Sequence, residues 1–189
     1  MISVLQGNFS LQCLETLLAT FFAIDLTKWG QGKAKKPEDL WRELVDGETE
    51  LRIGQSGLTR FIRVVKIRIR NPQLGTLVED YQTFPDGRRR ERNRTPTEKI
   101  KGGESPLQAL HRGIQEEFGG KLKPDHYITS PAEVKTEEEP SPSYPGLRTV
   151  YELHWFGVTV NFVGAEIPES VQQADGITLF FRWVGGNPT

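Results

Sequence analysis

The chain has a single cysteine, Cys13, among its 189 residues, so no disulfide can form within it. That scarcity suits a reducing compartment. Histidine is nearly as rare, and the three present do not gather with Cys13 at the spacing a structural zinc site needs. Net charge is also lacking. The balance is −1, which advertises neither nucleic acid nor a membrane surface as a partner. Long apolar runs are missing too. Leu11 to Leu26 is the strongest candidate, but it is short for a membrane span and Glu15 and Asp25 interrupt it. No Lys or Arg precedes that run, so it does not read as a secretory signal. No internal repeat is visible. These absences predict a cytoplasmic protein without a membrane partner.

What is present is enough for a core: 36% of residues are hydrophobic and 10% aromatic. Ser10 can cap a helix whose face carries Leu11, Leu14, Leu17, Leu18, Phe21 and Phe22. That face needs a cover, either the rest of the chain or a second copy in a homodimer. Cys13 is expected to pack there as a small apolar residue. A second helix is predicted from Pro37, with Glu38 and Asp39 in its first turn, ending near Gly47. Residues 1–47 therefore read as a helical extension packed on a main domain of residues 48–189.

From Glu50 the apolar period changes to two. Val65, Ile67 and Ile69 alternate with Lys66, Arg68 and Arg70 on a strand over 59–70. A second strand spans 76–84, and Pro85-Asp86-Gly87 is a turn signal. The run 88–94, RRRERNR, returns as the other arm of a hairpin. In an extended strand Arg88, Arg90, Arg92 and Arg94 share one face. Such a row is either solvated among neighbouring carboxylates or a cradle for phosphate or an acidic protein surface. It lacks the interleaved aromatics of single-strand binding, which argues against nucleic acid.

The most informative stretch is Pro96 to Gly120, PTEKIKGGESPLQALHRGIQEEFGG. Ser105 and Gln108 have capping-box spacing, and Pro106 falls at the first helical position. Leu107, Leu110, Ile114 and Phe118 mark one buried stripe. Gly119 and Gly120 suit a left-handed helix end. Glu116 and Glu117 sit at the C-terminal end, where the helix dipole is already negative. Arg112 is one turn from Glu116 and can pair with it. Two readings follow: solvated glutamates, or an acidic site for a divalent cation.

This stretch resembles the box of the Nudix hydrolase superfamily, whose pattern is G-x5-E-x7-R-E-U-x-E-E-x-G-U with U apolar. Glu104, Arg112, Ile114, Glu116, Glu117 and Gly119 fit it in register. The resemblance implies an α/β fold, a Nudix-like α/β/α sandwich around a mixed sheet, here with the N-terminal helical extension. It marks Glu104, Arg112, Glu116 and Glu117 as the residual catalytic set. Glu116 and Glu117 would be metal ligands for Mg or Mn if the protein is active; otherwise no cofactor is implied. Three positions depart from the pattern. The first glycine is Glu98, the glutamate after the arginine is Gly113, and the last apolar residue is Gly120. In the family the glutamate at 113 is implied to share the metal with the one at 117, one helical turn away. Its loss, and glycine in mid-helix at about 1 kcal/mol relative to alanine, predict a degenerate site.

After the helix, short strands are expected at 126–128 and 132–135, followed by an exposed acidic loop, TEEEPSPSYPG, over 136–146. Tyr144 is its candidate aromatic contact to a ligand. A long strand at 149–162 places Glu152 and His154 on one parity. Residues 168–174 suggest a helical turn or a loop, and a last strand covers 177–184.

Two functions remain open. One is a Nudix-like binding or regulatory module with weak or no hydrolysis, for a nucleotide, another diphosphate compound or an acidic protein partner. The other is a metal-dependent hydrolase of a nucleoside diphosphate derivative, with Glu104, Glu152 or Glu166 completing the ion's shell.

Overall fold

The computed structural model describes residues 3–5, 9–55, 57–130, 133–160 and 167–185. The strands are linked by hydrogen bonding into one sheet, and short helices accompany them, so the chain is of the α/β class. The residues group into two compact units. The first comprises 1–64, 99–104 and 135–153; the second comprises 65–98, 105–134 and 154–189.

In the first unit, β1 (Ser3–Leu5), β2 (Glu50–Gly54) and the first part of β3 (Gly57–Asn71) pair antiparallel in that order. Helix α1 (Leu11–Thr16) is capped by the Ser10 hydroxyl, which accepts the Cys13 N–H, and it continues as a wider π-type turn over Leu17–Phe21. Helix α2 (Pro37–Val45) starts at its proline and ends just before Gly47, as its sequence requires. Leu14, Leu18, Leu40, Leu44, Leu51 and Leu58 meet in one apolar cluster inside this unit, while Phe21, from the same predicted face, is 73% exposed. Cys13 is exposed, contrary to expectation, because Leu14 and Leu18 define the inward stripe of α1.

The second unit holds the alternating end of β3. Val65, Ile67 and Ile69 are fully buried, while Arg68 and Arg70 are exposed. Strand β4 (Gly75–Thr83) pairs antiparallel with the end of β3 and also carries the hairpin arm β5 (Arg89–Arg94). The hairpin closes at Gly87, whose φ of 83° a β-carbon would disfavour. Strand β6 (Thr97–Lys99) leads to helix α3 (Pro106–Glu117). Strand β7 (Tyr127–Thr129) pairs with β9 (Arg148–Val160), which runs from the first unit into the second. The stretch expected to be a helical turn or loop contains instead a short strand, β10 (Ser170–Gln172), paired with β11 (Thr178–Gly185). Strand β11 in turn pairs with β4.

The segment 136–146 is not one open loop. Its first half belongs to β8 (Glu133–Pro140), an exposed strand paired with β9. Alternation fails as a guide here because all eight residues of β8 are exposed. Among the described residues no helix is long and apolar enough to cross a membrane.

Candidate functional site

Helix α3 is built as its sequence directs. The Ser105 hydroxyl accepts the Gln108 N–H at 3.3 Å, and the Gln108 side chain accepts the Ser105 N–H at 2.8 Å. Leu110, Ile114 and Phe118 are buried, and the Phe118 ring packs 5.0 Å from that of Phe181. Leu107 is 46% exposed. It has the right angular position but lies in the first turn, outside the covered length of the helix. Gly119 and Gly120 take φ of 59° and 71°, the left-handed end that the glycine pair predicts.

Arg112 pairs with Glu116 at 3.3 Å, as the one-turn spacing implies. It also donates to Glu98 at 2.8 Å, from the residue just before Lys99 at the end of β6. Glu98 lies against Gly113. A β-carbon added at Gly113 would stand 2.8 Å from the Glu98 Cβ and 3.0 Å from its Cγ. Gly113 is thus not an empty helical position facing Glu117, as the sequence suggested. The space a side chain would enter is filled by a glutamate.

Glu117 is the most perturbed carboxyl of the helix. Burial pushes its pKa up from 4.5 to about 8, and the charges of Glu79, Glu98 and Glu116 add to the effect against an opposing Arg94. Its Oε2 is buried and has no hydrogen-bond partner. Glu79, on β4, is 3% exposed and carries Arg92 on one oxygen at 2.9 Å and Arg94 on the other at 3.3 Å. Burial pushes Glu79 upward as well, with Arg94 opposing.

The arginine row is therefore not one face. Asn93 has φ 47° and the β4–β5 register shifts between Glu79 and Tyr81, so alternation breaks. Arg92 and Arg94 close on Glu79. Arg88 lies outside the strand and pairs with Asp86 at 2.7 Å. Arg90 is exposed. Arg89, which was not singled out, lies 3.7 Å over the Tyr81 ring.

The other sequence candidates fall elsewhere. Glu104 belongs to the first unit, where its carboxylate accepts the Lys101 N–H at 3.0 Å. Glu152, in the same unit, faces Arg63 at 3.5 Å. His154 is buried in the second. Glu166 lies outside the described residues. Tyr144 is fully buried rather than displayed for a ligand. Its ring packs 5.0 Å from Trp29 in the core of the first unit, because the turn after β8 folds inward at Ser141 and Tyr144. Glu138, on β8, pairs with Arg148.

The residues that sequence reasoning missed are Glu79 and Glu98. Glu79 shares the inward parity of Leu77 on β4, and a charge on a buried parity was a usable signal. Glu98 stands where the box pattern has glycine.

Among the described residues no group of three His, Cys, Asp or Glu is already arranged around a common point for a metal ion. Glu79 and Glu98 are both engaged with guanidinium groups. The donor set still suits a hard divalent cation: carboxylate oxygens only, one of them buried and without a partner.

A concavity of about 320 Å³ is lined by Arg68, Arg70, Ser130 and Trp155 among others. It lies on the opposite parity of β3 from Ile67, whose Cδ1 approaches the Gly113 position. It is separate from the acidic end of α3.

No family model matches the chain, and neither does any curated protein. Solved structures do. The chain is similar to an Ap4A hydrolase of C. elegans in a binary complex, at 14% identity over 65% of this chain and 78% of that one, TM-score 0.40. It is similar to the Deinococcus radiodurans protein DR0079, at 16% identity over 65% and 66%, TM-score 0.40. The dihydroneopterin triphosphate pyrophosphohydrolase of E. coli gives 16% identity over 65% and 79%, TM-score 0.40. The resemblance to the Nudix superfamily is carried by the chain's own box residues, on the strand, loop and capped helix just described.

Proposed function

We propose that the chain is a Nudix-like module that binds a nucleotide or another diphosphate compound through a divalent cation held at the acidic end of α3. The observation that carries this reading is the Glu117 Oε2 atom, buried and without a hydrogen-bond partner, with other carboxylates around it. A buried carboxylate in that company must hold a proton or gain a cation. Glu117 would hold the ion, with Glu116 and Glu79 near it. Magnesium or manganese would supply Lewis-acid polarisation of a phosphoryl oxygen and activation of water. The chain's own residues supply the rest: Arg112 orients Glu98 and Glu116, while Arg92 and Arg94 hold Glu79 until a cation replaces them. The proposed setting is cytoplasmic.

Whether hydrolysis follows binding divides two versions of this reading. A module with weak or no turnover is favoured by the arginines that already neutralise the carboxylates. A metal-dependent hydrolase of a nucleoside diphosphate derivative is favoured by Glu98, because the position at 113 is filled by an acidic side chain rather than vacated. Calorimetry with ADP, with and without Mg²⁺ or Mn²⁺, tests the shared part. Cation-dependent ADP binding that Glu117→Gln abolishes is expected. ADP binding that ignores both the cation and Glu117 would remove the reading. Turnover of a panel of nucleoside diphosphate derivatives, lost in Glu117→Gln, would select the hydrolase version.

A further inference from the structure

Two departures of this chain from the box pattern turn out to be one event in space. The pattern has glycine at 98 and glutamate at 113; this chain has glutamate at 98 and glycine at 113. The two positions touch. The closest atoms to a β-carbon built at Gly113 are the Glu98 Cβ at 2.8 Å and Cγ at 3.0 Å. Neither is the free tip of a flexible side chain, so neither can swing away cheaply. Only one of the two positions can carry a side chain there.

We infer that Glu98 has taken over the place of the carboxylate absent at 113, so that strand and helix have exchanged a glutamate and a glycine and the cation site keeps its acidic partner for Glu117. The inference rests on the reading of the site proposed above. Two further observations support it. Glu98 is anchored by Arg112 at 2.8 Å, on the residue that immediately precedes the position it replaces. The Glu117 Oε2 toward which such a set would converge is buried and without a partner. Gly113 is then required by the neighbour's bulk. It is not the scar of a discarded ligand.

The test is a four-protein set titrated with Mn²⁺ alone, by calorimetry and by the electron spin resonance signal of free Mn²⁺, with thermal unfolding in parallel. The set is wild type, Glu98→Gln, Gly113→Glu and the Glu98→Gly, Gly113→Glu double variant. Glu98→Gln should keep its fold and lose at least about tenfold in Mn²⁺ affinity, no less than the loss of an outer-sphere partner brings. Gly113→Glu alone should melt well below wild type, because its β-carbon meets Glu98. The double variant should recover the melting temperature and bind Mn²⁺ within about threefold of wild type. Two results would overturn the exchange: wild-type affinity in Glu98→Gln, or a folded double variant that binds no better than Glu98→Gln. A double variant that does not fold also counts against it, since the two positions would then not be interchangeable. The broader reading fails separately, if wild type binds no Mn²⁺ or Glu117→Gln binds it unchanged. Loss in Glu117→Gln with no loss in Glu98→Gln sinks the exchange alone.

Discussion

Two glutamates, Glu43 in the first unit and Glu117 in the second, are treated in opposite ways. Glu43, on α2, is 5% exposed and surrounded by cations: Arg60, Lys35 at 2.8 Å and Lys99 at 3.1 Å. Burial opposes its ionisation, but the charges of Arg60 and Lys99 and the Lys35 contact prevail and hold the carboxyl down at about 2. Glu117, on α3, has mainly acidic neighbours and is pushed up to about 8. Burial alone would raise both; the company decides the sign. The first glutamate is complete in the folded chain. The second keeps a carboxyl oxygen without a partner, which is the difference between a structural ion pair and the cation site we propose.

The largest expected effect is at the completed site. Glu43→Gln leaves Arg60, only 4% exposed, without its carboxylate. A loss of about 3–5 kcal/mol is expected by denaturant unfolding, the usual result of stranding a buried charge. A variant that unfolds like wild type would make the two glutamates equivalent and dissolve the contrast.

The pH dependence of the two should also run in opposite directions. Glu43 has a folded value below the unfolded 4.5, so its contribution is present above 4.5 and is lost as pH falls toward 2. Glu117 has a folded value above 4.5. Its contribution is intact below 4.5 and is lost as pH rises through about 8. Glu117→Gln should therefore be more stable than wild type at pH 8 to 9, by on the order of a few kcal/mol, with the gain vanishing near pH 4. Thermal melts across that range check it. A gain that does not change with pH would mean Glu117 is not strained by its charge.

A smaller effect is expected at Gly113. Replacing a mid-helix glycine with alanine ordinarily adds about 1 kcal/mol of stability. Here Gly113→Ala should lower it by about 1–3 kcal/mol, as overpacking does, because the methyl meets Glu98 at 2.8 Å. Combining it with Glu98→Gly should reverse the sign. Additive losses in the pair would separate the two positions.

Much of this was readable in the residues. The caps of α1 and α3, the proline start of α2, the alternation of Val65, Ile67 and Ile69 and the turn at Gly87 all follow from local rules, and the structure obeys them. What escaped was non-local. Tyr144 sits in a polar, proline-rich segment, and only the packing of Trp29 against it reveals a core residue. The arginine row was read with ideal alternation, which the positive φ at Asn93 destroys. Gly113 was read along the helix alone, where it is a deletion. Only the neighbouring strand supplies Glu98 and turns that deletion into an exchange.

The most direct test of the unfinished carboxylate is the proton it must give up. Calorimetric titration of wild type with Mn²⁺ at pH 7, repeated in two buffers of different ionisation heat, counts the protons released on binding. Release of close to one proton, abolished in Glu117→Gln, is the predicted result. Tight Mn²⁺ binding with no proton released, or release unchanged in Glu117→Gln, would contradict it.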